Sequence, residues 1–194
     1  AHHLELNGFK EYPMEIAEVA SMAMELMSMD EWETFFTDAA DLKRAKAHQL
    51  ERVITIFPWI AVIDKFQHWI YEHPVHTHEE RTATWNEILK EFQDDVIDYS
   101  GLEAYRSNGW QRQLHLFEVP FYYIEYGIAQ LGAIGMWMQY KENKQLAMDN
   151  YCNALALGGT KTLPQLFETA GLKFDFSPDK IKVLMEFVRS EMNR

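Results

Sequence analysis

The chain has 194 residues, 47% of them hydrophobic and 25% charged, which is long enough and apolar enough to bury a substantial core. Its formal net charge of −12 argues against a nucleic-acid backbone or an anionic membrane surface as the main partner. No run of about 18 apolar residues occurs, so the sequence predicts no membrane-spanning segment.

A first helix is predicted to begin after Pro13, a favourable first-turn residue, and to run over residues 14–28. Glu18 and Glu25 lie in this span, seven residues apart, so they project from nearly the same face. Glu18 has small and apolar neighbours, and a carboxylate is costly to bury there unless a cation or hydrogen bonds satisfy it. Zinc accepts a carboxylate oxygen as a ligand beside histidines. The spacing of the acidic residues alone, however, favours a helix with one solvent-exposed face.

Two further helices are predicted before the first clear loop. Asp30 is suited to cap a short helix over residues 31–38, and Asp41 is expected to begin a long helix that reaches about Tyr71. Pro58 lies inside this long pattern, and it is expected to kink the helix or to divide it in two.

The segment from His73 to His78 contains three histidines and is predicted to be a loop. Thr77 followed by Glu80 is a capping-box pattern for a helix over about residues 79–98. The three imidazoles could gather a metal ion, but they lack the i, i+4 spacing that fixes a pair of ligands rigidly. A solvated loop is therefore the favoured interpretation.

The second half of the chain is also helical in pattern. Pro120 is predicted to mark the first turn of a strongly apolar helix over residues 121–140. Further helices are expected over 142–157, 163–170 and 178–192, the first two closed by glycines and the last capped by a serine. Together these elements predict an all-α fold, a single helical unit over residues 1–194.

The only cysteine, Cys152, falls in one of these helical patterns. Its apolar neighbours predict a small buried hydrophobic residue rather than a nucleophile. Because one cysteine cannot form an intrachain disulfide, a reducing compartment is expected, and the cytoplasm fits best.

His115 precedes an aromatic run that includes Tyr122, Tyr123 and Tyr126. Tyr123 and Tyr126 are about one helical turn apart, so two phenols could point into one cavity. Phenol and imidazole donors near a polarised carbonyl would form an oxyanion hole. Composition alone favours the plainer interpretation, in which these rings pack in the core.

Several segments resemble the thimet oligopeptidase and oligoendopeptidase F family of zinc metallopeptidases, and they are most similar to the oligoendopeptidase F branch. The longest are PMEIAEVASMAMEL at residues 13–26, WIYEHP at 69–74 and HLFEVPFYYIEY at 115–126. Shorter similarities follow in LGGT at 157–160 and AGL at 170–172. Since these segments occur in order along nearly the whole chain, the resemblance implies the multi-helix C-terminal portion of a zincin-type oligopeptidase catalytic domain.

The resemblance also implies roles for individual residues. Glu18 matches the glutamate that completes the zinc site beside two HExxH histidines, and Glu25 matches an acidic residue that helps to orient a ligand. His115 matches a histidine of the substrate channel, and Tyr126 a tyrosine whose hydroxyl faces the scissile carbonyl. Tyr123 is implied as a second phenol, although the neighbouring tyrosine at 122 could take its place.

No His-Glu-x-x-His motif occurs in the 194 residues. The resemblance therefore implies that this motif lies upstream of Ala1, with the two histidine ligands and the general base, and that these residues alone are inactive. The implied function is zinc-dependent hydrolysis of short peptides, with the N-terminal part of the same enzyme as a partner and neither nucleic acid nor membrane. The alternative is a non-catalytic helical module that keeps the fold and binds peptides or other partners.

Overall fold

The computed structural model describes residues 1–93 and 96–193, and all the regular elements in that part of the chain are helical. In chain order the α-helices are α1 (Met14–Met27), α2 (Ala39–Glu72), α3 (His78–Phe92), α4 (Glu103–Ser107), α5 (His115–Glu118), α6 (Ile124–Glu142), α7 (Lys144–Ala156), α8 (Leu163–Thr169) and α9 (Pro178–Met192). Short 3₁₀ helices occupy Asn7–Phe9, Ser28–Thr34 and Gly109–Arg112. The expected all-α fold is confirmed.

The chain forms two compact units. The first comprises Ala1–Val53 and Ile128–Arg194, and the second comprises Ile54–Gly127. The boundaries fall inside α2 and α6, so each of these helices contributes residues to both units. The assignment of one domain to residues 1–194 stays a prediction. No helix in the described part of the chain has the length and apolar character that a membrane crossing requires.

Three predicted helix starts are confirmed, and two of them have a side-chain cap. Helix α1 begins at Met14, directly after Pro13. Helix α3 begins behind a capping box, in which the Glu80 amide donates to the Thr77 hydroxyl at 3.1 Å and the Thr77 amide donates to the Glu80 carboxylate at 2.8 Å. The Ser177 hydroxyl accepts from the amide of Lys180 at the start of α9.

Two helix starts differ from expectation. The Asp38 carboxylate accepts from the amides of Ala40 and Asp41 at 2.8 and 3.0 Å, so α2 begins earlier than Asp41. The helix predicted over residues 31–38 is instead the 3₁₀ segment Ser28–Thr34, which continues directly from α1. The expectation that Asp30 caps an α-helix is therefore wrong.

Two predictions about helix length also change. Helix α2 continues through Pro58 as a single element, so the predicted division is wrong; the absent proline N–H removes one backbone hydrogen bond, that to the Ile54 carbonyl. Helix α3 ends at Phe92 rather than near residue 98. Part of that predicted helix, residues 94–95, lies outside the described residues.

Close helix packing builds the core of the first unit around α1. Ile16 and Val19 of α1 are nearly inaccessible, and they cluster with Ala129 of α6 and with Leu166 and Phe167 of α8. A Cβ atom at position 132 of α6, which is glycine, would lie 2.8 Å from the Val19 Cγ2 atom. The absent side chain therefore lets α6 approach α1 closely.

Cys152 lies on α7 in this same unit, and its side chain is exposed. The prediction of a buried cysteine is wrong, because its apolar neighbours along the chain point to other faces of the helix. Buried positions of α7 are instead Ala147 and Ala154.

Aromatic side chains dominate the core of the second unit. Phe66 of α2 contacts Trp85 of α3 edge-on, with ring centroids 5.0 Å apart, and it contacts Trp110 at 5.7 Å. The buried Trp85 indole donates to the backbone carbonyl of Arg106 at 2.8 Å. This bond and the one from the Asn86 side-chain amide to the Ser107 hydroxyl, at 3.0 Å, attach α4 to α3.

Candidate functional site

The turn that leads into α6 places the predicted tyrosines. Phe121 has a φ of 57°, which a helix does not accept, so α6 begins at Ile124 and the predicted start behind Pro120 is wrong. The Phe121 amide donates to the side-chain oxygen of Gln67 at 3.0 Å, and Gln67 is only 2% exposed. A buried amide on α2 therefore holds this left-handed residue in place.

His115 and three tyrosines form a cluster of rings in the second unit, which we call the ring cluster: His115, Tyr122, Tyr123 and Tyr126. The imidazole stacks on Tyr122 with centroids 5.7 Å apart, and it meets Tyr123 and Tyr126 edge-on at 5.1 and 5.6 Å. Tyr126 also contacts the other two phenols at 5.4 and 5.3 Å. The structure thus brings His115, Tyr123 and Tyr126 together, as the sequence predicts.

A chain of hydrogen bonds runs through the ring cluster. The Nε2 atom of His115 lies 3.1 Å from the Tyr126 hydroxyl. On the other side of the ring, its Nδ1 atom lies 2.7 Å from the side-chain nitrogen of Gln113. The Trp59 indole N–H in turn donates to the Gln113 side-chain oxygen at 3.3 Å. Sequence reasoning missed Gln113 and Trp59, because no motif links residues 54 positions apart.

Tyr123 is the most buried member of the cluster, at 8% exposure. Burial raises the pKa of its hydroxyl above the usual value of 10.0; the Tyr126 hydroxyl adds to this, while a hydrogen bond from Trp59 and the charge of Arg112 oppose it. A tyrosine hydroxyl is protonated at neutral pH in any case, and the raised pKa keeps it a donor at still higher pH. Tyr122 is partly buried and also contacts the imidazole, so both phenols weighed for this role lie against His115.

Glu18 and Glu25 belong to the first unit, where both lie on α1. Glu18 is partly buried and lies between the buried residues Ile16 and Val19 in sequence. Glu25 is exposed, and its carboxylate accepts from the side-chain amide of Gln49 at 3.1 Å. A partly shielded carboxylate on a rigid helix is a suitable oxygen donor for a divalent cation such as zinc.

Within residues 1–93 and 96–193, no group of three or more His, Cys, Asp or Glu side chains is arranged to hold a metal ion. Glu18 could therefore provide only part of a coordination shell from this region. In the histidine loop, the Arg81 guanidinium donates to Nε2 of His76 at 2.7 Å, and His73 Nδ1 bonds to the Trp69 carbonyl at 2.9 Å. These contacts tie both imidazoles to neighbouring protein groups.

The second unit also contains an open cleft of about 820 Å³, which the sequence did not reveal. Its walls include Trp59, Trp85, Tyr99, Tyr105, Arg106 and Arg112. Both arginines lie over aromatic rings, Arg112 at 5.5 Å from Trp59 and Arg106 at 4.7 Å from Tyr99. The volume falls in the range typical of small-molecule sites.

Comparisons with known proteins give a consistent result. Peptidase family M3 matches residues 1–185. An oligoendopeptidase F homologue of Borreliella burgdorferi is 28% identical over 165 residues, which are 80% of this chain and 27% of that protein. PZ peptidase A, solved with an inhibitor, aligns with a TM-score of 0.87 and 29% identity over 100% of this chain and 34% of its own.

A second solved structure, provisionally named oligoendopeptidase F, also aligns with a TM-score of 0.87 and 29% identity, over 98% of this chain and 34% of its own. The chain thus spans 27% to 34% of the length of these relatives.

Proposed function

Because the chain belongs to peptidase family M3, as its resemblance to oligoendopeptidase F predicts, we propose that it is part of a zinc-dependent endopeptidase that hydrolyses short peptides. The observation that carries this proposal is the 3.1 Å contact between His115 Nε2 and the Tyr126 hydroxyl inside the ring cluster. A phenol donor supported by an imidazole and by packed rings is suited to stabilise an oxyanion, which is what hydrolysis of an amide requires.

Glu18 would hold the zinc ion through its carboxylate, and Glu25 would support that helix face and help to orient the ligand. The remaining ligands are proposed to be the two histidines of a His-Glu-x-x-His segment upstream in the whole enzyme, together with its glutamate as general base. Bound zinc would polarise the scissile carbonyl and make a water molecule more acidic. Residues 1–194 alone are therefore proposed to be inactive.

Tyr126 would donate a hydrogen bond to the scissile carbonyl oxygen as negative charge develops on it, and His115 would act through its bond to the same hydroxyl. Tyr123 would act as the second phenol, because a tyrosine hydroxyl keeps its proton at neutral pH. Such donors act mainly in the transition state, because the oxygen is a much stronger acceptor there than in the ground state. Each is thus proposed to raise kcat more than it lowers KM.

The proposed partners are short peptides and the N-terminal part of the same enzyme, and the net charge of −12 makes nucleic acid an unsuitable substrate. The exposed Cys152 thiol supports a reducing setting, and we propose the cytoplasm.

The test uses the whole natural protein that contains this chain, purified with its metal. Glu18→Gln should remove most of the zinc and abolish peptide cleavage, because catalytic zinc sites rely on about three protein ligands. Glu15→Gln, on the same helix, is the matched control and should retain both. Zinc content and cleavage that survive Glu18→Gln would refute the ligand assignment.

A second arm addresses the ring cluster. Tyr126→Phe should lower kcat by roughly 10²- to 10³-fold with little change in zinc content, since one oxyanion donor is lost. If the whole protein binds peptides but neither holds zinc nor cleaves them, the alternative of a non-catalytic peptide-binding module replaces the proposal. The alternative is motivated by the absence of a His-Glu-x-x-His motif from these 194 residues.

A further inference from the structure

We propose that Gln113 is a positioning residue, which holds His115 in the tautomer protonated on Nε2 and thereby keeps the Tyr126 hydroxyl proton available for a substrate oxygen. The catalytic consequence rests on the proposed function. The tautomer itself rests only on the hydrogen bonds of the ring cluster, so the two can be tested separately.

The Trp59 indole sets the orientation of the Gln113 amide. An indole N–H can donate a hydrogen bond but cannot accept one, so the atom of Gln113 that faces it at 3.3 Å must be the carbonyl oxygen. The same indole N–H also reaches the Tyr123 hydroxyl. It is a donor in both contacts, and the opposite end of the Gln113 amide, its NH₂ group, is therefore directed at His115.

The amide then sets the tautomer of His115. An NH₂ group offers only protons, and it lies 2.7 Å from Nδ1 of the imidazole. Nδ1 must accept, so the proton of the neutral ring is on Nε2. A proton on Nδ1 would place two donors face to face at hydrogen-bond distance, which leaves both unsatisfied in a partly buried cluster.

The proton on Nε2 decides the role of Tyr126. His115 donates to the Tyr126 oxygen across 3.1 Å, and the hydroxyl that accepts this bond keeps its own proton for a different acceptor. In the opposite tautomer, the Tyr126 hydroxyl would donate to Nε2 of the imidazole, and its proton would not be available to a substrate. The Tyr122 ring stacked on His115 fixes the imidazole plane, so the two nitrogens keep facing Gln113 and Tyr126.

The spectroscopic test uses whole protein labelled with ¹⁵N-histidine, with the His115 signals assigned from a His115→Gln variant. The wild-type neutral ring should show an unprotonated Nδ1 and a protonated Nε2. Gln113→Glu replaces the NH₂ donor with a carboxylate oxygen of the same size, so Nδ1 should become protonated. Gln111→Glu, two residues away and exposed, introduces the same charge and should leave both His115 signals unchanged. A wild-type ring protonated on Nδ1 would overturn the proposal.

The kinetic test asks what the tautomer does. At a pH where the nitrogen signals show a neutral His115 ring in the variant, Gln113→Glu should lower kcat by about 10²-fold with a small change in KM, because the Tyr126 proton is then directed at His115 instead of the substrate. Equal kcat in Gln113→Glu and Gln111→Glu, with the tautomer reversed only in the former, would overturn the positioning role and leave the peptidase proposal intact. If wild-type protein cleaves no peptide, the proposed function fails, and the ring-nitrogen signals still decide the tautomer.

Discussion

The two compact units hold their candidate functional residues by different means. In the first unit, Glu18 stands on α1, a regular helix pressed against α6 and α8 through small residues and glycine. In the second unit, the ring cluster stands on a turn and short helical segments, which are fixed by side chains such as Gln67, Trp85 and Gln113. One unit relies on backbone proximity and the other on specific hydrogen bonds.

This difference determines what a mutation can do. Where two backbones are in contact, an added Cβ atom clashes with the neighbouring backbone, and this lowers the free energy of unfolding of the whole unit. Where a side chain holds a turn, its removal frees that turn while the helices behind it persist. The first unit should therefore be sensitive to added volume, and the second to lost polar atoms.

The largest expected effect is that of Gly158→Ala in the first unit. Gly158 has a φ of 55°, and an added Cβ atom would lie 2.1 Å from the backbone oxygen of Phe9. Strain from the left-handed backbone and the steric clash together should lower the free energy of unfolding by roughly 3–5 kcal/mol. Urea-induced unfolding followed by circular dichroism measures this change.

The control for this prediction is Gly101→Ala in the second unit. Gly101 has a φ of 79°, but an added Cβ atom there meets nothing within 4 Å. Only the backbone strain remains, so the expected loss is about 1 kcal/mol. Equal losses in the two variants would show that backbone proximity is not what makes Gly158 necessary.

The next largest effect is expected for Gln67→Leu in the second unit. The leucine fills much of the buried volume but removes the acceptor of the Phe121 amide, so the free energy of unfolding should fall by about 2 kcal/mol. The near-ultraviolet circular dichroism of the tyrosines should weaken as well, because the turn before α6 loses its anchor. Gln111→Leu, at an exposed position, should change neither signal; unchanged tyrosine signals in Gln67→Leu would contradict the anchoring role.

Sequence patterns anticipate the first unit well, for a physical reason. Periodic apolar residues determine α1 and α9, together with Pro13 before the first helix and the Ser177 cap of the second, and all of these act within a few residues. The exposed Cys152 shows the limit of this approach, because neighbours along the chain do not state which face of a helix is buried. The role of Glu18 came from family resemblance and stays a prediction.

The second unit was anticipated less completely, because its shape depends on contacts between distant residues. His115, Tyr123 and Tyr126 were expected to lie together, and they do. The left-handed Phe121 was not expected, since the Gln67 amide that holds it is 54 positions away. The same separation between Trp59 and Gln113 hid the bond that orients the amide beside His115. Such pairs leave no periodic signal along the chain.

A smaller effect should come from Tyr151→Phe, which tests a polar contact in the unit that depends mainly on packing. The Tyr151 hydroxyl on α7 donates to the backbone oxygen of Ala20 on α1 at 3.0 Å. Its loss should lower the free energy of unfolding by about 1 kcal/mol. Tyr105→Phe, where the ring is 83% exposed, should have no measurable effect. A loss comparable with that of Gly158→Ala would contradict the view that close packing dominates this unit.

The smallest expected effect is that of Asp30→Asn, which breaks the ion pairs of Asp30 with Lys141 at 2.6 Å and with Lys144 at 3.1 Å. All three groups are partly open to solvent, so the free energy of unfolding should fall by only about 0.5–1 kcal/mol at pH 7 in low salt. Asp149→Asn removes the same charge where the carboxylate accepts from the neutral Gln145 amide at 2.9 Å, and it should have less effect.

The pH dependence of the Asp30→Asn effect identifies its cause. Burial raises the pKa of the Asp30 carboxyl, but hydrogen bonds and charges from the two lysines outweigh burial, and the net pKa lies below the usual 3.8. A lowered folded-state pKa means that the contribution is fully present well above pH 3.8 and is lost as the pH falls through the folded value. The difference between wild type and Asp30→Asn should therefore vanish in acid, and 1 M salt should reduce it at pH 7. A difference that persists in acid would show that packing, and not charge, causes the effect of Asp30→Asn. Close packing would then determine the stability of the first unit even at this polar contact.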